Sequence, residues 1–222
     1  MSRLRAKLIL TLVVIIMMTG ATSAYVLLSP ARHWQEPSVN FRIRAGHVSI
    51  TDSDQGMTAV RNALNSNSIG WNSCSNGFTV NATINTSQSW SLGDGIPTIS
   101  LRRQIGGCGG SCLAATYTGY YTCGGGFDGG DGHCRITDSD VEGRTNVTTG
   151  GGGPYYTTAE GSCTAGSEYH AESIWVHEAG HQLGLGHSGT SGATMYPSVS
   201  SCNTSLQSVA SDDCNGMNRL YN

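Results

Sequence analysis

The residues with the most chemical capacity in this chain lie in "HEAGHQLGLGH", His177 to His187. His177 and His181 are four positions apart, so on a helix they share one face, one turn apart, where both imidazoles can grip a single ion. Zinc takes imidazole nitrogens at about 2.0–2.1 Å in a tetrahedral shell. Glu178 follows the first histidine and would stand beside the metal, placed to take a proton from a water in an open coordination position. Gly184 lets the backbone leave the helix through a left-handed residue, and that turn brings His187 round as a third ligand. Three neutral histidines leave one position for water, whose pKa zinc lowers to about 7. Two histidines at this spacing also occur as plain surface residues, but a third histidine and a glycine at fixed offsets, in a chain with only seven histidines, favour the metal.

The elements that must position these groups follow from periodicity. The chain has 222 residues, 38% apolar and 12% charged, enough for one real core. "VNFRIR" (39–44) reads as a strand, and "MTAVRNALNSNSIGW" sets Met57, Val60, Leu64 and Trp71 at helical spacing, predicting a helix over about 57–67. "FTVNATI" alternates Phe78, Val80, Ala82 and Ile84 against polar neighbours, a strand with one buried face. "CLAATYTGYY" and "HCRITDSDV" read as two more strands around a glycine loop, followed by the histidine helix, on which Trp175 and Val176 read as core. Ser211 can cap a closing helix that carries Met217, Leu220 and Tyr221 on one face. This order predicts a mixed sheet with helices packed on it, an α+β or α/β domain.

Residues 1–24, "MSRLRAKLILTLVVIIMMTGATSA", have the grammar of a secretory signal peptide, with an apolar run too short for a membrane anchor. They predict a secreted, extracellular protein without stable membrane association after cleavage, with a short segment at 25–37 and a catalytic-type domain at 38–222. Eight cysteines behind an export signal read as disulfides, the rival being metal thiolates at Cys108 and Cys112. Proximity alone pairs Cys108 with Cys112, Cys123 with Cys134 and Cys202 with Cys214. The formal net charge is −3, and the basic residues after Ala24 are dispersed arginines, which argues against a nucleic-acid partner. Neither glycine tract, "CGGGFDGGDG" or "TGGGGPYY", ends in the Gly-Lys-Ser/Thr of a phosphate loop.

The histidine motif, with Met195 in "SGATMYP" eight residues after His187, fits the metzincin signature with its Met-turn. Ser188 after the third histidine and the string "ATMYP" resemble the matrixin family, the matrix metalloproteinases and their bacterial relatives. Astacins carry glutamate and adamalysins aspartate after that histidine. Pro197 stands where astacins and serralysins place a zinc-binding tyrosine. "ITDSDV" and "SDDCNGMNRLY" are similar to a matrixin strand and closing helix, so the likeness spans about residues 38–222. The resemblance implies an α+β zincin fold, a mostly parallel twisted sheet with an active-site helix and a C-terminal helix. It makes Met195 an apolar floor that does not ligate, and Tyr196, Pro197, Ser198 and Val199 a wall of the pocket for the substrate side chain after the scissile bond. It implies a bacterial-style, monomeric, secreted zinc endopeptidase acting on proteins or peptides. His177, His181 and His187 would hold Zn2+, and Glu178 would activate the zinc-bound water and pass its proton to the leaving amine.

Departures from that family pattern carry their own expectations. No cysteine lies between Tyr25 and Glu36 to block the metal, and Glu36, the sole carboxylate there, is either a substitute or an ordinary solvated side chain. His133 and His170 are isolated and form no second zinc pattern; His170 stands where bacterial relatives often have aspartate. Asp128 and Asp131 in a glycine loop suit Ca2+, although "DGGDG" lacks the ligand series of an EF-hand. The rival to an enzyme is a secreted, disulfide-stabilised binding protein with a structural zinc and no protease activity. Glu178 weighs against it, because a site that only holds the fold has no use for a carboxylate beside an open position. A metzincin of another branch is the third reading.

Overall fold

A computed structural model describes residues 25–44, 53–85, 87–103, 112–120, 132–144, 155–157, 163, 166 and 168–222. The leader, Cys108, Cys123, Asp128 and Asp131 lie outside the described residues. Strands β1 (Arg32–His33), β2 (Ser38–Arg44), β3 (Thr79–Ile84), β4 (Thr98–Arg103), β5 (Ala114–Tyr120) and β6 (Cys134–Arg144) form one sheet in the order β1-β6-β4-β2-β3, with β5 on β6. All its pairings are parallel except β5 on β6. A parallel ribbon of β7 (Tyr155–Thr157) and β8 (Glu168–His170) leads into the histidine helix. Helices α1 (Ser53–Asn65), α2 (Ala171–Gln182) and α3 (Ser211–Tyr221) complete the expected α+β architecture with its mostly parallel sheet. No helix among the described residues is long and apolar enough to cross a membrane.

Alternation decides which face of the sheet is covered. Val39, Phe41 and Ile43 of β2 and Val80 and Ala82 of β3 are buried, and Met57, Val60, Ala63 and Leu64 of α1 join the same core. β3 is an edge of the sheet, and two asparagines satisfy its outward backbone groups. Asn65 bonds both the N–H and the C=O of Ala82 (2.6 and 3.0 Å), and Asn72 does the same for Val80 (2.7 and 2.8 Å). Between those asparagines the chain turns through Trp71, whose indole N–H donates to the Val176 carbonyl of α2 at 2.9 Å. The turn that follows the first helix thereby becomes a support for α2.

Proximity in sequence misjudged one cysteine pair. Cys202 bonds Cys163 and Cys214 bonds Cys74, across 39 and 140 positions. Cys202 lies beside β8, its N–H donating to Glu168 C=O at 2.9 Å, whereas Cys214 sits in α3, stapled to the chain just after Trp71–Ser73. Cys112 and Cys134 are also disulfide-bonded, and the partners expected for them lie outside the described residues.

Strand β6 carries a carboxylate out of water. Asp140 is fully buried, with Oδ1 accepting the Thr98 N–H at 3.0 Å. Burial, then the carboxylates of Asp138 and Asp94, push its pKa up from 3.8 to about 7. The folded state therefore binds a proton that the unfolded chain lacks between roughly pH 4 and 7, so this group's contribution falls as pH rises through that window and levels off above it. Asp140→Asn keeps the Oδ1 acceptor and removes the charge. It is expected to add about 1–3 kcal/mol at pH 8 and nothing near pH 4, measured by urea unfolding at both values. An equal change at the two pH values contradicts this.

Candidate active site

α2 ends where the sequence places a glycine. Gly184 has φ +102, its N–H bonds the His181 carbonyl at 3.0 Å, and the Leu185 N–H reaches back to Gly180 C=O at 2.9 Å. These two bonds form a Schellman turn, which satisfies the last helical carbonyls while reversing the chain. The reversed segment is clamped by the N-terminal stretch: Leu27 bridges Leu185, Leu28 N–H donates to Gly184 C=O at 2.9 Å, and Gly186 N–H donates to Val26 C=O at 2.7 Å. Trp34 donates to Gln182 C=O and Tyr221 to Leu183 C=O, both under 3 Å. His187 leaves this clamp on a fixed course.

The ligand-capable nitrogens of His177, His181 and His187 come within 4.8 Å of one another. Nδ1 of His177 lies 2.6 Å from Thr194 C=O, and Nδ1 of His181 lies 2.7 Å from Leu185 C=O. A carbonyl only accepts, so both Nδ1 atoms carry the proton and both Nε2 atoms are left as bare lone pairs. Burial pushes both imidazoles down to about 4, which keeps them neutral at pH 7. A set of converging neutral imidazoles with anchored tautomers fits zinc. Glu178 is buried beside them, and burial raises its pKa above the ordinary carboxylate value.

Met195 is buried directly beneath α2. A Cβ built on Gly180 would sit 2.2 Å from its sulfur and 2.6 Å from the Trp71 ring, so only glycine fits between His177 and His181 above this floor. The turn itself hangs on Asp213 of α3, whose carboxylate accepts the N–H groups of Thr194 (2.7 Å), Met195 (3.1 Å) and Ala210 (3.2 Å). Asp213 thus performs the capping expected of Ser211, which is the first residue inside the helix, with Ala210 at the N-cap. The neighbouring Asp212 accepts the Ser188 hydroxyl at 2.7 Å, fixing the residue after His187.

A cleft of about 380 Å³ opens beside His177, Glu178 and His187. Tyr196, Pro197, Ser198 and Val199 line one side of it, Leu113 and Ala114 from the β5 side another, and Ile174 and Leu206 add apolar surface. His181 and Met195 do not line it. The sequence does not mark Ile174, Leu206, Asp213 or Thr116, and the Thr116 hydroxyl lies 2.5 Å from Glu178 Oε2. Nothing in the local spacing marks Thr116, since its partner is 62 positions away.

Other sequence candidates lie elsewhere. Glu36 pairs with Arg135 on the surface and borders a different cavity, with Trp34 and Arg42, so it does not reach the histidines. His133 packs edge-on against His33 at 5.6 Å, and His170 occupies the N-cap of α2 without making a side-chain cap bond.

A histidine helix closed by a glycine turn, with a methionine turn beneath it, defines a metzincin-type site on an α+β zincin domain. Residues 72–222 match the matrixin family, and the chain belongs to that family. It is similar to metalloendoproteinase 1 of Glycine max, 37% identical over 98 residues that cover 43% of this chain and 30% of that protein. Neutrophil collagenase of Homo sapiens is 35% identical over 71 residues (32% of this chain, 15% of that protein). Metalloendoproteinase 5-MMP of Arabidopsis thaliana is 46% identical over 50 (22% and 14%). The matched parts span under a third of the length of each of these relatives.

Proposed function

We propose that the protein is an exported, zinc-dependent endopeptidase. The observation that carries this reading is the convergence of three imidazoles with one buried carboxylate at the mouth of a partly apolar cleft. His177, His181 and His187 would hold the ion through their ring nitrogens. Bound there, zinc supplies a Lewis acid for the scissile carbonyl and lowers the pKa of water. Glu178 takes the proton of the attacking water on a carboxylate oxygen and returns it to the leaving nitrogen, the two halves of general base and general acid work. Met195 supports the histidines from below and stays out of the chemistry.

The cleft lining supports a reading of where the substrate lies. Val199, Ile174, Leu113 and Leu206 suit a large apolar side chain immediately after the cut bond, with Tyr196 to Ser198 forming the rim. An extended peptide can add as a strand along β5, which pairs only with β6 among the described residues. Export is supported by the leader-like residues 1–24 and by the disulfides, which persist in oxidising compartments.

The test is digestion of a proteome-derived peptide library, with cut sites read by mass spectrometry, with and without a chelator. Chelator-sensitive cuts before large apolar residues are expected. No cuts in either arm would favour a binding protein with a structural zinc.

A further inference from the structure

We propose that Thr116 is a positioning residue for peptide hydrolysis, holding one oxygen of Glu178 so that only the other handles the transferred proton. The proposal rests on the reading of Glu178 as the general base. Thr116 lies on β5 opposite Val141 of β6, which sets its side chain against α2. Its hydroxyl oxygen is 2.5 Å from Glu178 Oε2 and 3.2 Å from the Glu178 carbonyl oxygen. An ionised carboxylate only accepts, so Thr116 is the donor, and its single proton goes to the nearer oxygen. That separation is typical of a charge-assisted O–H···O⁻ bond. Among the described residues it is the only side chain that bonds the carboxylate.

The consequence is a division of labour between two otherwise equivalent oxygens. With Oε2 occupied by a donor, a proton collected from water resides on Oε1 and is returned from there. Without the threonine the carboxyl can rotate, and the proton can settle on an oxygen turned away from the substrate. Threonine suits the task because its branched Cβ is stiff and favours a strand. Thr116→Val keeps that shape and removes the donor, whereas Thr116→Ser keeps the donor.

The experiment compares zinc-loaded wild type, Thr116→Val and Thr116→Ser on one quenched fluorescent peptide. It also measures thermal unfolding of the metal-free forms of wild type, Thr116→Val, Glu178→Ala and the double variant. For Thr116→Val, kcat is expected to fall about ten- to a hundredfold with KM within about twofold, as for loss of other supporting hydrogen bonds at metal sites. Thr116→Ser should stay within about threefold of wild type. The valine substitution should also lower the unfolding temperature more in the wild-type background than beside Glu178→Ala, where the hydroxyl keeps only the backbone carbonyl of residue 178 as a partner, and the difference isolates the side-chain pair. An active wild type with an equally active Thr116→Val, or an equal drop in unfolding temperature in both backgrounds, overturns the proposal. An inactive wild type overturns the endopeptidase reading itself, and the role of Thr116 with it.

Discussion

Glu178→Gln is expected to lower kcat/KM for peptide cleavage by about 10²–10⁴-fold while leaving zinc bound and the fold intact. The amide has the shape of the carboxyl and its oxygen can still accept from Thr116, but it cannot take a proton. Glu178 is buried at 7% exposure, so no bulk buffer base can readily stand in for it. The loss should fall on kcat, because the side chain holds neither the metal nor the substrate. Zinc content by mass spectrometry and the thermal midpoint serve as controls. An active Glu178→Gln enzyme with full zinc would remove this residue from the mechanism.

The second large effect is expected at Gly184. A Cβ there would lie 2.0 Å from the carbonyl oxygen of Arg32 and 3.1 Å from Leu220, and the backbone sits at φ +102. The left-handed conformation costs roughly 1–2 kcal/mol for an L-residue. Overpacking against backbone costs roughly another 1–3 kcal/mol. Gly184→Ala should therefore lose about 3 kcal/mol or more, a large part of the ~5–15 kcal/mol stability of an ordinary domain. Whatever gives way, either the Arg32 strand or the turn, also moves His187, so zinc retention on dialysis against a chelator should fall with stability. Gly189→Ala is the control, since nothing lies within 4 Å of its Cβ and its backbone needs no positive φ. Equal urea midpoints for the two variants contradict the account.

The parts of this molecule that could be read from sequence are those governed by short-range geometry. The period of a helix puts His177 and His181 on one face whatever surrounds them, and only glycine makes the turn at Gly184 inexpensive. Alternation marked β2 and β3 for the same reason. What could not be read depends on long-range packing. Cys74, just after the turn Trp71–Ser73, meets Cys214 of α3 across 140 positions, and no spacing rule reports that. Asp213 looked like one acid in a polar helix start, yet it is the buried acceptor that holds the methionine turn. Thr116 looked like any strand threonine because its partner lies in another element. Glu36 was the nearest acid to the N-terminus, but Arg135 across the chain claims it.

The central claim is that the three histidines and Glu178 form one zinc-dependent hydrolytic centre. Its most direct test is the cleavage rate of a peptide substrate by chelator-stripped protein as zinc is added back in measured amounts. No cleavage is expected at the start, then a linear rise that saturates at one equivalent of zinc and is absent when His181→Ala replaces the wild type. Cleavage by the stripped protein, or a zinc-loaded wild type that cuts no peptide, would contradict it.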